Sequence, residues 1–189
     1  NRADKAKTLE NYPFYRLKGG ETHEVGVGPI HAGVIEPGHF RFSCDGEQIL
    51  QMEIQLGYQH RGVEALMLSK PSWLYRTLLA QQTAGDTAAG HGLAFVSAVE
   101  QLMGHTPPTA LQAERLIAVE LERIAMHTFD LSNLCVGAAY TVGAAVLGAL
   151  RTPIINAFQL WCGNRFAKAL VRIGGTRYPI TPSLKVHLR

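Results

Sequence analysis

The sequence predicts a mainly helical α+β protein: a helical bundle with a small antiparallel β-sheet at its N-terminal side. Two observations predict it. Residues 23 to 58 carry strand-like apolar residues that largely alternate with polar ones around tight turn signals, the period of half-buried strands. From His60 onward the apolar residues recur at three- and four-residue steps, the stripe of helices packed on a core. The 189 residues fit one domain or part of a larger one, and an apolar fraction of 47% is ordinary for a protein with a real core.

The strands come first. Val25 and Val27 precede the stretch GPIHAGVIEPGHFRF at Gly28 to Phe42, and Phe40 and Phe42 close it, so its two ends read as strands joined by a loop rich in Gly and Pro. Asp45-Gly46 is a turn signal, and Ile49, Met52, Ile54 and Leu56 mark the next strand. His60 to Leu68 reads as a short helix broken near Lys70-Pro71, with Trp73 to Ala80 continuing it. Thr87 to Gly104 is a small-residue helix that Gly104 and Pro107-Pro108 stop. Thr109 is the expected N-cap of the next, running to about Leu134, whose stripe is Ala113, Leu116, Ile117, Leu121, Ile124 and Ala125.

Between Asp130 and Arg151 no charged residue occurs, which raises the question of a membrane span. Ser132, Asn133 and Thr141 dilute the run and Gly137, Gly143 and Gly148 weaken a single helix, so a buried helix-turn-helix is the preferred reading. A further helix is expected at about Thr152 to Trp161. An element over Asn164 to Ile173 should end at Gly174-Gly175, and Pro179 and Pro182 suggest an extended tail.

A net charge of +3 gives no nucleic-acid surface, so no nucleic-acid partner is expected. Cys44, Cys135 and Cys162 are odd in number and far apart, with no CxxC pair, so spacing offers neither a zinc site nor a disulfide framework. There is no GxGxxG for a dinucleotide.

Three constellations carry possible chemistry. In the first loop Glu36 stands between His31 and His39 among Gly, Pro and apolar residues. Desolvation there would raise its pKa and suit it to proton transfer, whereas a solvated turn would make it incidental. On the long helix Glu120, Arg123 and His127 fall on one side, readable as a structural ion-pair stripe or as a proton path. His60, Arg61 and Glu64 in GYQHRGVE form a third cluster, readable also as a plain helix start.

These segments also carry a resemblance. GPIHAGVIEPGHFRF resembles the N-terminal signature of the large subunit of energy-converting, formate-hydrogenlyase-type NiFe hydrogenases and, more loosely, of the homologous quinone-site core subunit of respiratory complex I. ELERIAMH at Glu120 to His127 is similar to the ELxRxxxH of the complex I protein, and NRFAKALVRIGGTRYPIT at Asn164 to Thr181 to its GQRFHHNYIRIGGV. The resemblance covers about Tyr12 to Ile180. It implies a truncated hydrogenase-large-subunit-like fold over 23–189, with 1–22 a linker from an upstream domain. It assigns Glu36 the role of a proton gate, and it places Glu120, Arg123 and His127 in a charged interior.

One feature of the family is missing. Its hydrogenases hold nickel and iron with two thiolates in a segment like RxCGxCxxAH before the helix that starts near His91, since low-valent metals require soft ligands. The matching segment here runs Gln82 to His91, with Ala84 and Thr87 where the cysteines belong. No metal site and no hydrogenase activity are therefore expected. In the complex I protein the vacated cavity takes a quinone between a histidine and a tyrosine. His31 matches the first histidine of that loop, the quinone-bonding histidine falls near Pro37 with His39 two positions away, and the tyrosine falls on Gly85. The resemblance thus implies a quinone or related acceptor in a cavity lined by His31, His39, Arg61 and His91, with no cofactor bound by this chain itself. It implies an iron–sulfur small subunit that carries the cluster, membrane-arm partner subunits, and a place on the cytoplasmic, peripheral face of the inner membrane. Two functions follow: an oxidoreductase core subunit of an NADH:quinone-type or hydrogenase-type complex, with NADH oxidised elsewhere in it, or a catalytically silent scaffold.

Overall fold

The computed structural model describes residues 19–30 and 37–187. The described residues divide into two compact units, with the boundary between His60 and Arg61.

The first unit is a three-stranded antiparallel sheet in the order β1-β2-β3, with β1 at Thr22–Val27, β2 at His39–Asp45 and β3 at Gln48–Gln55. Val25 pairs with Phe42 and Val27 with Phe40, as the apolar flanks of the Gly- and Pro-rich stretch predict. The β2–β3 turn uses Gly46-Glu47 as its two central residues, and Gly46 adopts the positive φ of 56° that the favoured hairpin turns require. A bulge leaves Leu50 without a partner: Cys44 pairs with Ile49, whereas Ser43 pairs with Gln51. Ile49 and Met52 are three residues apart, which strict alternation would put on opposite faces. The extra residue returns both to the face of Cys44 and Phe42. On the opposite face Arg41 is buried and pairs with Glu24 of β1 and Glu53 of β3, tying all three strands together.

The second unit holds the helices: α1 at Val63–Ser69, α2 at Trp73–Ala80, α3 at Ala88–Leu102, α4 at Thr109–Gly137, α5 at Thr141–Cys162 and α6 at Pro182–His187. A short hairpin, β4 at Val171–Arg172 and β5 at Gly175–Thr176, lies between α5 and α6. The first helix starts at Val63, later than expected, because Gly62 is left-handed (φ 64°). Pro71 holds Lys70 extended and ends it, and the Ser72 hydroxyl then accepts from Tyr75 N to cap α2. Gly104 (φ 66°) closes α3 as predicted, with His105 N donating to Glu100 O.

Several expectations are corrected. Pro108, not Thr109, is the N-cap of α4, and no side chain caps that helix. The buried face of α4 is Arg115, Ala118, Glu122 and Ala125, whereas Leu116, Ile117 and Ile124 are exposed. The helix expected at Thr152 to Trp161 is the second half of one continuous helix, since α5 runs from Thr141 to Cys162 with Pro153 inside it. The uncharged run does form a helix-turn-helix across residues 138–140, but it is not buried: Leu134, Val136, Val142 and Val146 are exposed. By length and composition α5 is apolar enough to cross a membrane, a test that a core helix also passes. Gly174 (φ 72°) sits in the β4–β5 turn and does not end a helix. That role falls to Gly163 (φ 72°), the C-cap of α5. Pro182 opens α6, where an extended tail was expected, at a position that needs no amide hydrogen.

Helices α4 and α5 pack antiparallel, with Ser132 Oγ donating to Ala144 O (2.9 Å) and the Arg151 guanidinium 4.6 Å from the Phe129 ring centroid. The core gathers Ala89, Ala118, Phe158, Trp161, Leu170 and Leu184, with the Phe158 and Trp161 rings stacked 6.4 Å apart. Trp161 Nε1 donates to Tyr178 O at 2.9 Å, which satisfies the indole and fixes the segment after β5.

Candidate functional site: a cleft between α3 and α4

The start of α3 offers free backbone amides, and its N-cap residue Thr87 does not satisfy them. The partner comes from the neighbouring helix. Glu122 of α4 accepts from Ala89 N at 2.6 Å and from Gly90 N at 2.9 Å. A carboxylate at a helix N-terminus is favoured by the amides and by the helix dipole. Small residues make the approach possible, since a Cβ on Gly90 would meet Glu122 Oε1 at 3.1 Å. Burial nevertheless pushes the Glu122 pKa up; the Gly90 and Ala89 amides and His91 pull it down by less, and Asp86 adds to the rise. Glu122 is thus a buried carboxyl group whose pKa lies above the ordinary carboxylate value.

A cleft of about 510 Å³ opens over this group, lined by Thr87, His91, Glu122, Arg123, His127 and Asp130, among others. His91 Nδ1 lies 2.9 Å from Thr87 O and 2.8 Å from Thr87 Oγ1. With the proton on Nδ1 and donated to that carbonyl, Nε2 is the ring nitrogen left to accept one. The arrangement brings a buried carboxyl group and two imidazoles to one cleft.

Of the residues singled out from sequence, the cleft brings together His91, Arg123 and His127. Glu120 pairs with Arg123 at 3.1 Å on an exposed surface, and His127 is exposed, so the stripe is not a set of charges buried against one another. Arg61 donates to Thr83 O at 2.7 Å, holding the turn before α3. His39 lies in β2 of the first unit, its Nδ1 3.3 Å from Gly28 O. His31 and Glu36 lie outside the described residues.

Sequence reading missed Glu122 because it stands inside the motif at Glu120 to His127 as an unremarkable neighbour. The signal was positional: Arg115, Ala118, Glu122 and Ala125 follow the same three- and four-residue steps as the apolar stripe. It also missed the buried pair of Glu100 and Arg115. Arg115 Nη1 and Nη2 donate to Glu100 Oε2 and Oε1 at 2.8 and 2.7 Å, Nη2 also donates to Arg172 O at 2.7 Å, and Gly174 N donates to Glu100 Oε1 at 2.7 Å. The Arg115 guanidinium holds Glu100 below the ordinary carboxylate range despite burial. Gln81 does similar work, donating to Val171 O and accepting from Ala169 N. Both groups anchor the β4–β5 segment onto α2, α3 and α4. Among the described residues no group of three His, Cys, Asp or Glu could hold a metal ion.

No protein-family model matches the chain. It is 32% identical to hydrogenase-4 component G of Escherichia coli (strain K12) over 171 residues, 90% of this chain and 31% of that protein. It is 29% identical to an NADH-quinone oxidoreductase subunit of Clostridium beijerinckii over 174 residues, 89% of this chain and 46% of that protein. A solved structure of the membrane-bound sulfane sulfur reductase, an archaeal respiratory membrane complex, shares the fold with a TM-score of 0.79 at 22% identity, over 86% of this chain and 43% of the matched one. The chain thus spans between about a third and a half of these relatives. Its ordered motifs, its fold and these matches agree, and the chain is homologous to part of hydrogenase-4 component G and to part of the NADH-quinone oxidoreductase subunit.

Proposed function

We propose that this chain forms the core of an oxidoreductase subunit in a membrane-associated complex, where electrons from the iron–sulfur cluster of a partner subunit pass towards a quinone or related acceptor and protons move through the α3/α4 cleft. The observation that carries this reading is Glu122, a buried carboxyl group with a raised pKa at the helix start where hydrogenase relatives place metal thiolates. Its neighbours His91 and His127 are the partners a proton would reach at the mouth. Glu36, from the resemblance, would serve the same proton traffic from its loop.

The residues at this helix start do not fit a nickel–iron centre. Ala84 and Thr87 offer no thiolate, and the donors around the cleft are imidazoles and carboxylates, none of them the soft ligand that a low-valent nickel–iron centre takes. The three cysteines stand in β2, late in α4 and at the end of α5. We therefore assign no metal to this chain and place the cluster in an iron–sulfur small subunit, with membrane subunits as further partners and the cytoplasmic face of the membrane as the location.

The second reading is a silent scaffold, favoured by the same missing thiolates. The complete complex distinguishes the two. Binding of a quinone analogue, together with acceptor reduction that falls at least about tenfold in Glu122→Gln and loses one limb of its pH profile, supports the first. An intact assembly that binds no analogue supports the scaffold. Nickel in the purified complex that maps to this chain overturns the metal assignment.

A further inference from the structure

Beyond Asp130 the sequence holds no Asp or Glu, so the Lys and Arg residues from Arg151 onward have no acid on their own stretch. Among the described residues none of them forms a salt bridge. The β4–β5 hairpin brings two of these cations together. Arg172 stands across from Gly175, and Arg177 N donates to Leu170 O at 2.8 Å, continuing the ladder past Val171 and Thr176. Arg177 follows Gly175 by two residues. Arg172, Gly175 and Arg177 therefore share one face of the hairpin, the two arginines as diagonal neighbours. Gly175 leaves that face open beside them, since a Cβ there would meet nothing within 4 Å.

Nothing neutralises the pair. Arg172 is half-buried, and its guanidinium makes no hydrogen bond among the described residues. Burial and then the Arg177 charge push its pKa down, and no carboxylate pushes it back. Arg177 is exposed and lies over the Tyr178 ring, 5.2 Å from its centroid. The acids that bind this hairpin are engaged elsewhere. Glu100 is held by Arg115 and Gly174 N, and Glu114 by Thr176 Oγ1 and Ile180 N, Thr176 being on the opposite face. Two adjacent cations, one partly desolvated, are costly without a counter-charge. The charge count selects the occupant. One carboxylate would leave one cation unbalanced. A phosphate carries close to two charges near neutrality and offers several oxygens to two guanidinium forks.

We propose that the open face of the β4–β5 hairpin binds a phosphate-class oxyanion, held by Arg172 and Arg177 over Gly175. The oxyanion is free phosphate or the phosphoryl end of a small organic compound. The inference stands apart from the proton-transfer reading of the α3/α4 cleft.

Two-dimensional NMR of the full chain, reading the arginine Nε–H signals at constant ionic strength, tests it. Inorganic phosphate should shift the Arg172 and Arg177 signals saturably, with a Kd of roughly millimolar order for so small an ion. Acetate, with one charge, should bind at least about fivefold more weakly. Arg177→Gln, an exposed side chain with no hydrogen bond to lose, should weaken phosphate about tenfold. Arg123→Gln, which removes an exposed cation from α4, should leave phosphate binding unchanged. Methyl phosphate distinguishes the sources: binding as tight as that of phosphate supports a phosphorylated compound, and weaker binding supports the free ion. No saturable shift, acetate binding as tightly as phosphate, or equal weakening by Arg123→Gln and Arg177→Gln would each overturn the proposal, and none of these bears on proton transfer at Glu122.

Discussion

Removing Arg115 should damage the protein more than removing Arg115 and Glu100 together. Both side chains are 3% exposed and joined by two short hydrogen bonds. In Arg115→Met the Glu100 carboxylate is left with Gly174 N as its one remaining partner of those named. Stranding one member of a buried pair costs about 3–5 kcal/mol. At about 2–4 °C per kcal/mol for a chain of this size, the midpoint should fall by roughly 10 °C. In Arg115→Met/Glu100→Met no charge is stranded. Arg172 O loses its partner in both variants, so against the stranded charge it removes the double variant adds only the loss at Gly174 N, about 1–3 kcal/mol if dry. The double variant should therefore be more stable than Arg115→Met by about 1–2 kcal/mol. The pH dependence has a definite sign. In the native protein the folded pKa of Glu100 is depressed, so its contribution is present above the ordinary value of 4.5 and is lost as pH falls through the depressed one. In Arg115→Met the largest lowering influence is gone while burial still opposes ionisation against the Gly174 amide and His105, so the folded pKa rises relative to the native protein and the deficit should be largest near neutrality and shrink as pH falls. Urea melts of the three proteins at several pH values measure this. A cost for Arg115→Met below about 1 kcal/mol, or a double variant less stable than Arg115→Met, would refute the claim that an unpaired buried charge dominates.

Four further outcomes are expected. Glu122 has the opposite sign to Glu100: its folded pKa is raised, so its contribution is full below 4.5 and lost as pH rises through the raised value, and the stability of the native protein relative to Glu122→Gln should decline over that window in urea melts. Gly92→Ala should destabilise by about 1–3 kcal/mol, because the new Cβ would stand 2.8 Å from Gln81 Cγ and displace the side chain that binds Val171 O and Ala169 N; thermal melts measure it. Gly163→Ala meets no neighbour within 4 Å, so it should cost only the left-handed backbone penalty, about 1 kcal/mol by chemical denaturation. Glu120→Ala should change stability by less than about 0.5 kcal/mol by the same measure, since its partner Arg123 is solvated.

The elements were legible where local chemistry decides. Pro71 with Ser72, and Gly104, fix helix boundaries through their own backbone preferences, and α2 runs from Trp73 to Ala80 as its sequence predicts. The errors fall where tertiary partners decide. Gly143 and Gly148 argued for a break in α5, yet packing against α4 carries the helix through, with Pro153 inside it. The repeated glycines at Gly174 and Gly175 serve a hairpin that exists because Arg115, Glu100 and Gln81 bind its backbone from three helices. No local pattern announces that.

The same division explains the site. A stripe of charged residues is visible in one dimension, so Glu120, Arg123 and His127 stood out. What separates an exposed ion pair from a carboxyl group with a raised pKa is desolvation, and that depends on the facing helix. Glu122 differs from Glu120 by two residues, about 200° around the helix, and this turns it from water to the amides of Ala89 and Gly90. The segment Gln82 to His91 was read for the ligands it lacks. The structure shows what stands beside it: a carboxylate from α4 accepts from the amides at the start of α3. A helix start without thiolates can still carry a buried acid, so the absence of a metal-binding motif is a poor guide to the absence of chemistry.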